Sequence, residues 1–294
     1  MVDVRPRVPG SDMRVAGTDL FVRQVGSGAP ALFVHGLGGN SSNWTDLMWL
    51  LSDDVHAVAP DLPGFGRSGP AASGVYSPQG QADFLAEFVQ RTFPEPVHLF
   101  GNSMGGAISL QLAGRHPELV RSLTLVSPAL PDLMPMRTNI QLPIIALPGV
   151  GDRVATRIAK LPVERRVQAT LNMVYADPAS VPPQRVREAQ EDAALLATKP
   201  WVGTALQAAL RGILATYFDR GPDAPWKLAD RITVPVLLVY GQQDKLVNAR
   251  AARRASRHFR HCRVMVVPHS GHVSQMEHPE IVARGWRTLI EPFA

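Results

Sequence analysis

Short, uniformly apolar runs recur through the first half of the chain and again near its end. They are rich in valine, leucine and phenylalanine and show no alternation with polar residues, which is typical of parallel strands buried on both faces. Two alternating runs that meet at Gly17, residues 13–16 and 20–25, predict a hairpin ahead of them. The apolar runs are residues 31–35, 55–60, 97–101, 123–127, 234–241 and 263–267.

Helical patterns lie between these runs. Ser77 and Pro78 have the residue types of a helix N-cap and first helical position, and apolar residues follow at helical spacing. Residues 104–115 form a second helical pattern that ends before Pro117. Because strands and helices alternate, the sequence predicts a doubly wound, mostly parallel, eight-stranded α/β sheet.

The alternation stops for about 100 residues in the middle of the chain. Strand patterns are missing there, and helical patterns occupy residues 164–174, 184–197 and 201–218. Such a length between two strands of one sheet exceeds an ordinary loop. We therefore predict a core made of residues 1–129 and 230–294, with residues 130–229 inserted as a helical cap over the carboxyl edge of the strands.

Composition narrows the class of protein. Hydrophobic residues make up 45% and charged residues 19% of the 294 residues, a balance typical of ordered globular proteins. A single cysteine, Cys262, excludes an intramolecular disulfide and argues against a cysteine-built metal site. The first 20 residues lack an apolar signal segment, and no apolar run is long enough to span a membrane, so we expect a cytoplasmic protein.

The net charge of +5 includes a basic run at residues 250–263. Arg250, Arg253, Arg254 and Arg257 are spaced to share one face of a helix. We interpret this face as solvated and expect no nucleic-acid partner, because no nucleic-acid-binding motif accompanies it.

The motif that most specifically indicates a catalytic residue is the pentapeptide at residues 101–105, Gly-Asn-Ser-Met-Gly. It follows an apolar strand and opens a helix. In that context the flanking glycines allow a tight turn that presents the hydroxyl of Ser103 at the edge of the sheet. Ser103 is therefore the candidate nucleophile.

A serine hydroxyl needs a general base, and the base needs a carboxylate to orient it. Among nine histidines, His272 stands directly after the last predicted strand, in a Ser-Gly-His turn. Asp244 follows the preceding strand, and the alternative acid is Asp132 after the strand before that. We favour Asp244, which makes the chain order serine, acid, histidine.

The developing oxyanion needs two hydrogen-bond donors. We expect these to be the backbone N–H groups of Met104, at the start of a helix, and of Leu37, in the glycine-rich loop after the first apolar run. That loop lacks the Lys-Ser/Thr of a phosphate-binding loop, and no dinucleotide fingerprint is present. The predicted reaction thus requires neither an organic cofactor nor a metal.

Taken together, these motifs resemble those of a capped serine hydrolase of the α/β-hydrolase superfamily. The resemblance covers about residues 13–130 and 230–294. It rests on His-Gly-Leu-Gly at 35–38, Asp-Leu-Pro-Gly-Phe-Gly-Arg-Ser at 61–68, the pentapeptide around Ser103, Asp244 and Gly-His at 271–272. The resemblance implies hydrolysis through an acyl-enzyme. It argues against epoxide hydrolases and haloalkane dehalogenases of this fold, which carry aspartate where Ser103 stands.

Carbon–carbon hydrolases of aromatic degradation share the Asn-Ser-Met-Gly-Gly turn that contains Ser103 and a Glu-His pair, here at 277–278. They also carry a cap arginine for the substrate carboxylate, and Gln190 falls where that arginine would be. We therefore predict an esterase for small to medium apolar acyl groups. The alternatives are a carbon–carbon hydrolase of a diketone-type substrate, a thioesterase or acyl-transfer enzyme, and a ligand-binding protein without catalysis. Apolar residues proposed to line the substrate pocket are Trp44, Leu133, Met134, Met136 and Ile140.

Overall fold

A computed structural model describes residues 4–132, 146 and 149–293. Within them, eight strands form one sheet in the order β1-β2-β4-β3-β5-β6-β7-β8. The β1/β2 and β2/β4 pairs are antiparallel and all other neighbours are parallel, which confirms the predicted doubly wound, mostly parallel sheet. The strands are β1 (Gly10–Val15), β2 (Thr18–Val25), β3 (Ala29–Val34), β4 (Val55–Pro60), β5 (Val97–Asn102), β6 (Val120–Val126), β7 (Val236–Gly241) and β8 (Cys262–Val267).

Helices cover both faces of the sheet because its central strands are apolar on both sides. The α-helices are α1 (Thr45–Leu50), α2 (Pro78–Thr92), α3 (Met104–Arg115), α4 (Val150–Ala159), α5 (Val163–Val174), α6 (Pro183–Ala197), α7 (Val202–Thr216), α8 (Pro225–Arg231), α9 (Ala251–Ala255), α10 (Ser274–Glu277) and α11 (Pro279–Ile290). One face of the sheet packs against α1 and α11 through a cluster that contains Trp44 and Trp286. The other face packs against α2, α3, α7 and α8.

Most element boundaries lie within about two residues of the predicted ones, whereas β1 begins three residues before its predicted start and helix α4 was not predicted. Two further differences are informative. Strand β6 begins at Val120, three residues before the predicted start, because Val120 pairs with Val97 of β5. The solvent-facing Arg121, which pairs with Glu95 at 3.0 Å, interrupts the apolar pattern there. The basic run does not form one continuous helical face, since α9 ends at Ala255 and a 3₁₀ turn, Ser256–His258, follows.

Residues 127–235, between β6 and β7, are called the insertion below. Where the structure describes them, they form helices and turns and no strand. Helices α5 and α6 pack around a small apolar cluster that also includes Val273 and Met276, whereas three residues of α7 join the main core, namely Ala205, Ala209 and Ile213. Helix α8 also lies on the core, with Leu228 against Gly114 of α3. The cap boundaries at 130 and 229 stay predictions, and α8 is the element that crosses the second one.

Among the described residues, no helix combines the length and apolarity that crossing a bilayer requires.

Candidate active site

Ser103 lies in the sharp turn between β5 and α3. Its backbone has φ +55° and ψ −115°, a conformation that non-glycine residues rarely adopt and that recurs at functional sites. The turn is this tight because β5 and α3 meet through glycines. A Cβ at Gly101 would overlap the carbonyl oxygen of Gly105, and a Cβ at Gly105 would overlap that of Val34. The serine therefore stands at the carboxyl edge of the sheet and is only partly buried.

The loop after β3 lies directly beside this turn. A Cβ at Gly36 would be 3.2 Å from the Cβ of Ser103, so the loop backbone contacts the serine closely. Leu37, the next residue, has a backbone N–H with no acceptor among the described residues. Met104 is the first residue of α3, and its N–H has no acceptor inside the helix. Both predicted oxyanion donors thus belong to segments that flank Ser103.

Buried His35 fixes the position of that loop. Its Nδ1 donates to the carbonyl of Gly36 at 2.8 Å, and its Nε2 accepts from the N–H of Leu62 at 3.0 Å. Burial lowers the pKa of His35, against the opposing effect of nearby Asp61, so the ring is neutral at pH 7. As a neutral donor and acceptor, this histidine holds the glycine-rich loop against the backbone at Leu62.

Asp244 and His272 form a buried pair. His272 Nδ1 lies 2.9 Å from Asp244 Oδ2, while Asp244 Oδ1 accepts from the N–H groups of Leu246 and Val247 at 2.7 and 3.0 Å. Burial alone would raise the pKa of Asp244, but the interaction with His272 and these hydrogen bonds outweigh it and hold the pKa below its ordinary value. The ionised carboxylate can only accept, so Nδ1–H is the donor in this pair and Nε2 takes no part in it.

Asn102 connects the serine turn to the histidine loop. Its side-chain amide donates to the carbonyl of Val126 at 3.0 Å and to the carbonyl of His272 at 3.1 Å. Within the described residues, no direct hydrogen bond joins the Ser103 hydroxyl to the His272 ring. The two segments are instead connected through the side chain of Asn102, one position before the serine.

The alternative acid has different surroundings. Asp132 acts electrostatically on Tyr217 and Tyr240, whereas the carboxylate hydrogen-bonded to His272 belongs to Asp244.

One predicted pocket residue is corrected by the structure. Trp44 is fully buried, with its ring 5.4 Å from that of Phe33 and within the core cluster shared by α1 and α11. A side chain with no exposed surface lines no space that a substrate could enter, so Trp44 is a core residue. The other predicted pocket residues, Leu133, Met134, Met136 and Ile140, lie outside the described residues.

A different apolar side chain, Leu206 of α7, lies over the glycine-rich loop, because it would be 3.6 Å from a Cβ at Gly38.

Sequence reasoning missed the contacts that the insertion makes with the loops that carry Asp244 and His272. The ammonium of Lys245 donates to the carbonyls of Asn172 and Tyr175, and the N–H of His272 donates to the carbonyl of Val174 at 2.7 Å. No motif marks these positions, because carbonyl acceptors carry no residue-type signal. Asn102 could have been noticed, since its polar side chain ends an otherwise apolar strand.

No group of three or more histidine, cysteine, aspartate or glutamate side chains suited to a metal ion occurs in the part of the chain that the structure describes.

Comparison with known proteins assigns the family. The family model described as alpha/beta hydrolase fold matches residues 30–279, which include Ser103, Asp244 and His272. The chain belongs to the α/β-hydrolase family. This agrees with the eight-stranded sheet and with the resemblance that the motifs indicate.

Individual relatives of the α/β-hydrolase differ in their named activities. The dihydrolipoyllysine-residue acetyltransferase component of the acetoin cleaving system of Cupriavidus necator is 31% identical over 87% of this chain and 62% of its own length. The chain thus spans about three fifths of that relative. The pimeloyl-[acyl-carrier protein] methyl ester esterase of Neisseria meningitidis is 28% identical over 88% of this chain and 92% of its own.

A solved structure with the same fold is the meta-cleavage product hydrolase of Pseudomonas fluorescens IP01. It superposes with a TM-score of 0.77 over 97% of this chain and 98% of its own, at 19% identity. At this identity the likeness concerns the fold.

Proposed function

We propose that this α/β-hydrolase is a serine hydrolase that cleaves carboxylic esters of small to medium apolar acyl groups through an acyl-enzyme on Ser103. The observation that carries the proposal is the buried Asp244–His272 pair. The side chain of Asn102 joins the loop that carries His272 to the serine turn. An ionised carboxylate on Nδ1 leaves Nε2 free to take a proton, which is the state that a general base needs.

The proposed reaction has two similar halves. His272 Nε2 takes the hydroxyl proton as Ser103 Oγ bonds to the ester carbonyl carbon, and the N–H groups of Leu37 and Met104 hold the oxyanion. The intermediate collapses, the bond to the alcohol oxygen breaks, and that oxygen leaves with the proton from His272. Water then attacks the acyl group with the same base, which releases the acid and restores Ser103. The depressed pKa of Asp244 keeps its carboxylate ionised throughout.

Two observations support an ester substrate with an apolar acyl group. Leu37, Leu130 and Leu206 are apolar side chains on three segments around the serine turn, and all three pack on the main core cluster. Leu206 also lies over the glycine-rich loop. The esterase named among the relatives has a similar length and acts, by its name, on a methyl ester, which is consistent with ester chemistry here.

The carbon–carbon hydrolase alternative receives no comparable support. Gln190 stands where the resemblance places the carboxylate-binding arginine, and Arg185, the buried arginine of the same helix α6, is bonded to Asp46, Glu188 and the carbonyl of Arg5. Its guanidinium is therefore not free to hold a substrate carboxylate.

The proposal is tested by turnover of p-nitrophenyl acetate, butyrate, hexanoate and decanoate, with a vinylogous diketone as the competing substrate. We expect kcat/KM to be highest for butyrate or hexanoate, and to fall at least about 10³-fold in Ser103→Ala. A matched control is Ser180→Ala, which removes a hydroxyl from an exposed turn of the insertion. Cleavage of the diketone with no cleavage of any ester would replace this proposal with carbon–carbon hydrolysis.

A further inference from the structure

The carboxylate of Glu277 connects two segments that are far apart in the sequence. Its Oε1 accepts from the backbone N–H of Gly271 at 2.7 Å and from the hydroxyl of Ser270 at 3.3 Å. Its Oε2 accepts from the backbone N–H of Ala176 at 2.8 Å. One side chain therefore bonds to the loop that carries His272 and to the insertion.

The segment on the insertion side, residues 172–176, is called the insertion turn. It contains the end of helix α5, whose last carbonyl groups have no partner within the helix. His272 N–H donates to one of these carbonyls, that of Val174. The Lys245 ammonium donates to another, that of Asn172, and to the carbonyl of Tyr175, the residue after the helix. A cation at a helix C-terminus is also favoured by the helix dipole. The insertion turn thus contacts both the loop that carries Asp244 (the acid loop) and the loop that carries His272 (the base loop).

Close packing makes this contact geometrically demanding. A Cβ at Gly271 would be 2.5 Å from the carbonyl oxygen of Val174 and 2.6 Å from the nitrogen of Ala176, so only glycine fits. Around the polar contacts, Val273 and Met276 pack with Leu171 and Tyr175 of the insertion. The backbone on both sides of His272 is therefore fixed against the insertion.

We propose that Glu277 is a positioning residue that sets the orientation of His272 by bonding the base loop to the insertion turn. This inference rests on the proposed function, because it assigns His272 as the base. It also means that the insertion contributes to the chemical step as well as to substrate binding.

The chemistry of the contact explains why a carboxylate is used. Two backbone N–H groups, from Gly271 and Ala176, point at two different oxygens. A glutamine of the same shape has one oxygen and one NH₂ group, so one backbone N–H would face another donor. Glu277→Gln therefore breaks one side of the contact with almost no change of volume, whereas Glu277→Ala breaks both.

The experiment compares Glu277→Gln and Glu277→Ala with Glu280→Gln, the same chemical change at an exposed position in the first turn of α11. We expect Glu277→Gln to lower kcat for p-nitrophenyl butyrate about 10- to 100-fold with KM within about threefold, because misplacing a reacting group by about 1 Å can cost about 100-fold in rate. Glu280→Gln should keep the wild-type kcat. Amide hydrogen exchange at Gly271 and Ala176 should accelerate in both Glu277 variants.

The proposal is overturned by an unchanged kcat in Glu277→Gln, and equally by unchanged exchange at Gly271 and Ala176 relative to Glu280→Gln. Should wild type cleave no ester, the proposed function fails, while the exchange measurement still decides whether Glu277 joins the two segments. A kcat loss in Glu277→Gln that comes with a matching loss of unfolding midpoint would reduce Glu277 to a stabilising residue.

Discussion

The two halves of the candidate active site are held in place by different means. Ser103 is positioned by backbone contacts among β3, β5 and α3, where glycines let main-chain atoms meet. Asp244 and His272 are positioned by side-chain hydrogen bonds and by contacts with the insertion. The serine half therefore depends on the core sheet, and the acid–base half depends on a second part of the molecule as well.

Because of this difference, we expect substitutions in the two halves to have different consequences. A residue that enlarges the serine turn should disturb folding, because main-chain atoms already fill the space. A residue that alters the acid–base half should disturb the reaction first, because the sheet beneath it is unaffected.

The largest expected effect is on turnover, from Asp244→Asn. Asp244 Oδ1 accepts two backbone N–H groups, so the amide oxygen would take that place and the NH₂ group would face His272 Nδ1. The ring would then carry its proton on Nε2 and could not act as a base. We expect kcat for a p-nitrophenyl ester to fall about 10³- to 10⁴-fold.

Asp177→Asn, at an exposed turn of the insertion, is the matched control and should leave kcat unchanged. If Asp244→Asn kept more than about a tenth of wild-type kcat, the assignment of Asp244 as the orienting acid would be wrong.

The serine half should instead respond in stability, and Gly105→Ala is the test. The added Cβ would overlap the carbonyl oxygens of Val34 and His35, which belong to the sheet and the adjoining loop and cannot move aside. We expect a loss of about 3 kcal/mol in the free energy of unfolding, measured by urea denaturation.

Gly203→Ala provides the comparison, because Gly203 is also helical and a Cβ there would meet nothing within 4 Å. That change should stabilise slightly, by up to about 1 kcal/mol. Equal effects of the two substitutions would contradict the close backbone packing inferred at the serine turn.

The most gradual of the expected effects is the dependence of stability on pH. Burial, with a lesser contribution from Arg121, lowers the pKa of His98 on β5 to about 4 from an ordinary 6.5. Between these two values the unfolded chain binds more protons than the folded one, so stability falls as the pH falls. The difference corresponds to about 3 kcal/mol between pH 6.5 and pH 4, summed over a gradual slope. His98→Asn should flatten that slope.

Asp244 acts in a different pH range. Its lowered pKa contributes stability that is fully present above the ordinary value of 3.8 and is lost as the pH falls below it. The difference in stability between wild type and His98→Asn should therefore change between about pH 6.5 and 4, whereas the contribution of the Asp244 carboxyl changes below about pH 3.8. A slope unchanged by His98→Asn would show that this histidine is not held neutral.

The serine half was largely predictable from sequence, because its geometry is made by residue types. Glycines on both sides of Ser103, placed directly after an apolar strand, are typical of a tight strand-to-helix turn, and helix Met104–Arg115 has the predicted bounds. The sheet was predictable for the same reason, since uniformly apolar runs suit strands buried on both faces.

The acid–base half was predictable only in its two titratable residues. Among its remaining contacts, those of the Lys245 ammonium and of the His272 N–H use carbonyl oxygens of Asn172 and Val174, which any residue type would supply. The prediction for Trp44 failed for a related reason: an aromatic residue after a functional loop has the same sequence signature whether it lines a pocket or fills the core.

The central question is whether Ser103 is an activated nucleophile. The most direct measurement is covalent labelling with a fluorophosphonate, read as intact mass, on wild type and on Ser103→Ala. We predict that wild type gains one adduct per chain and that Ser103→Ala gains none. A folded wild-type protein that remains unlabelled, or a Ser103→Ala variant that labels equally well, would contradict the proposed role of Ser103.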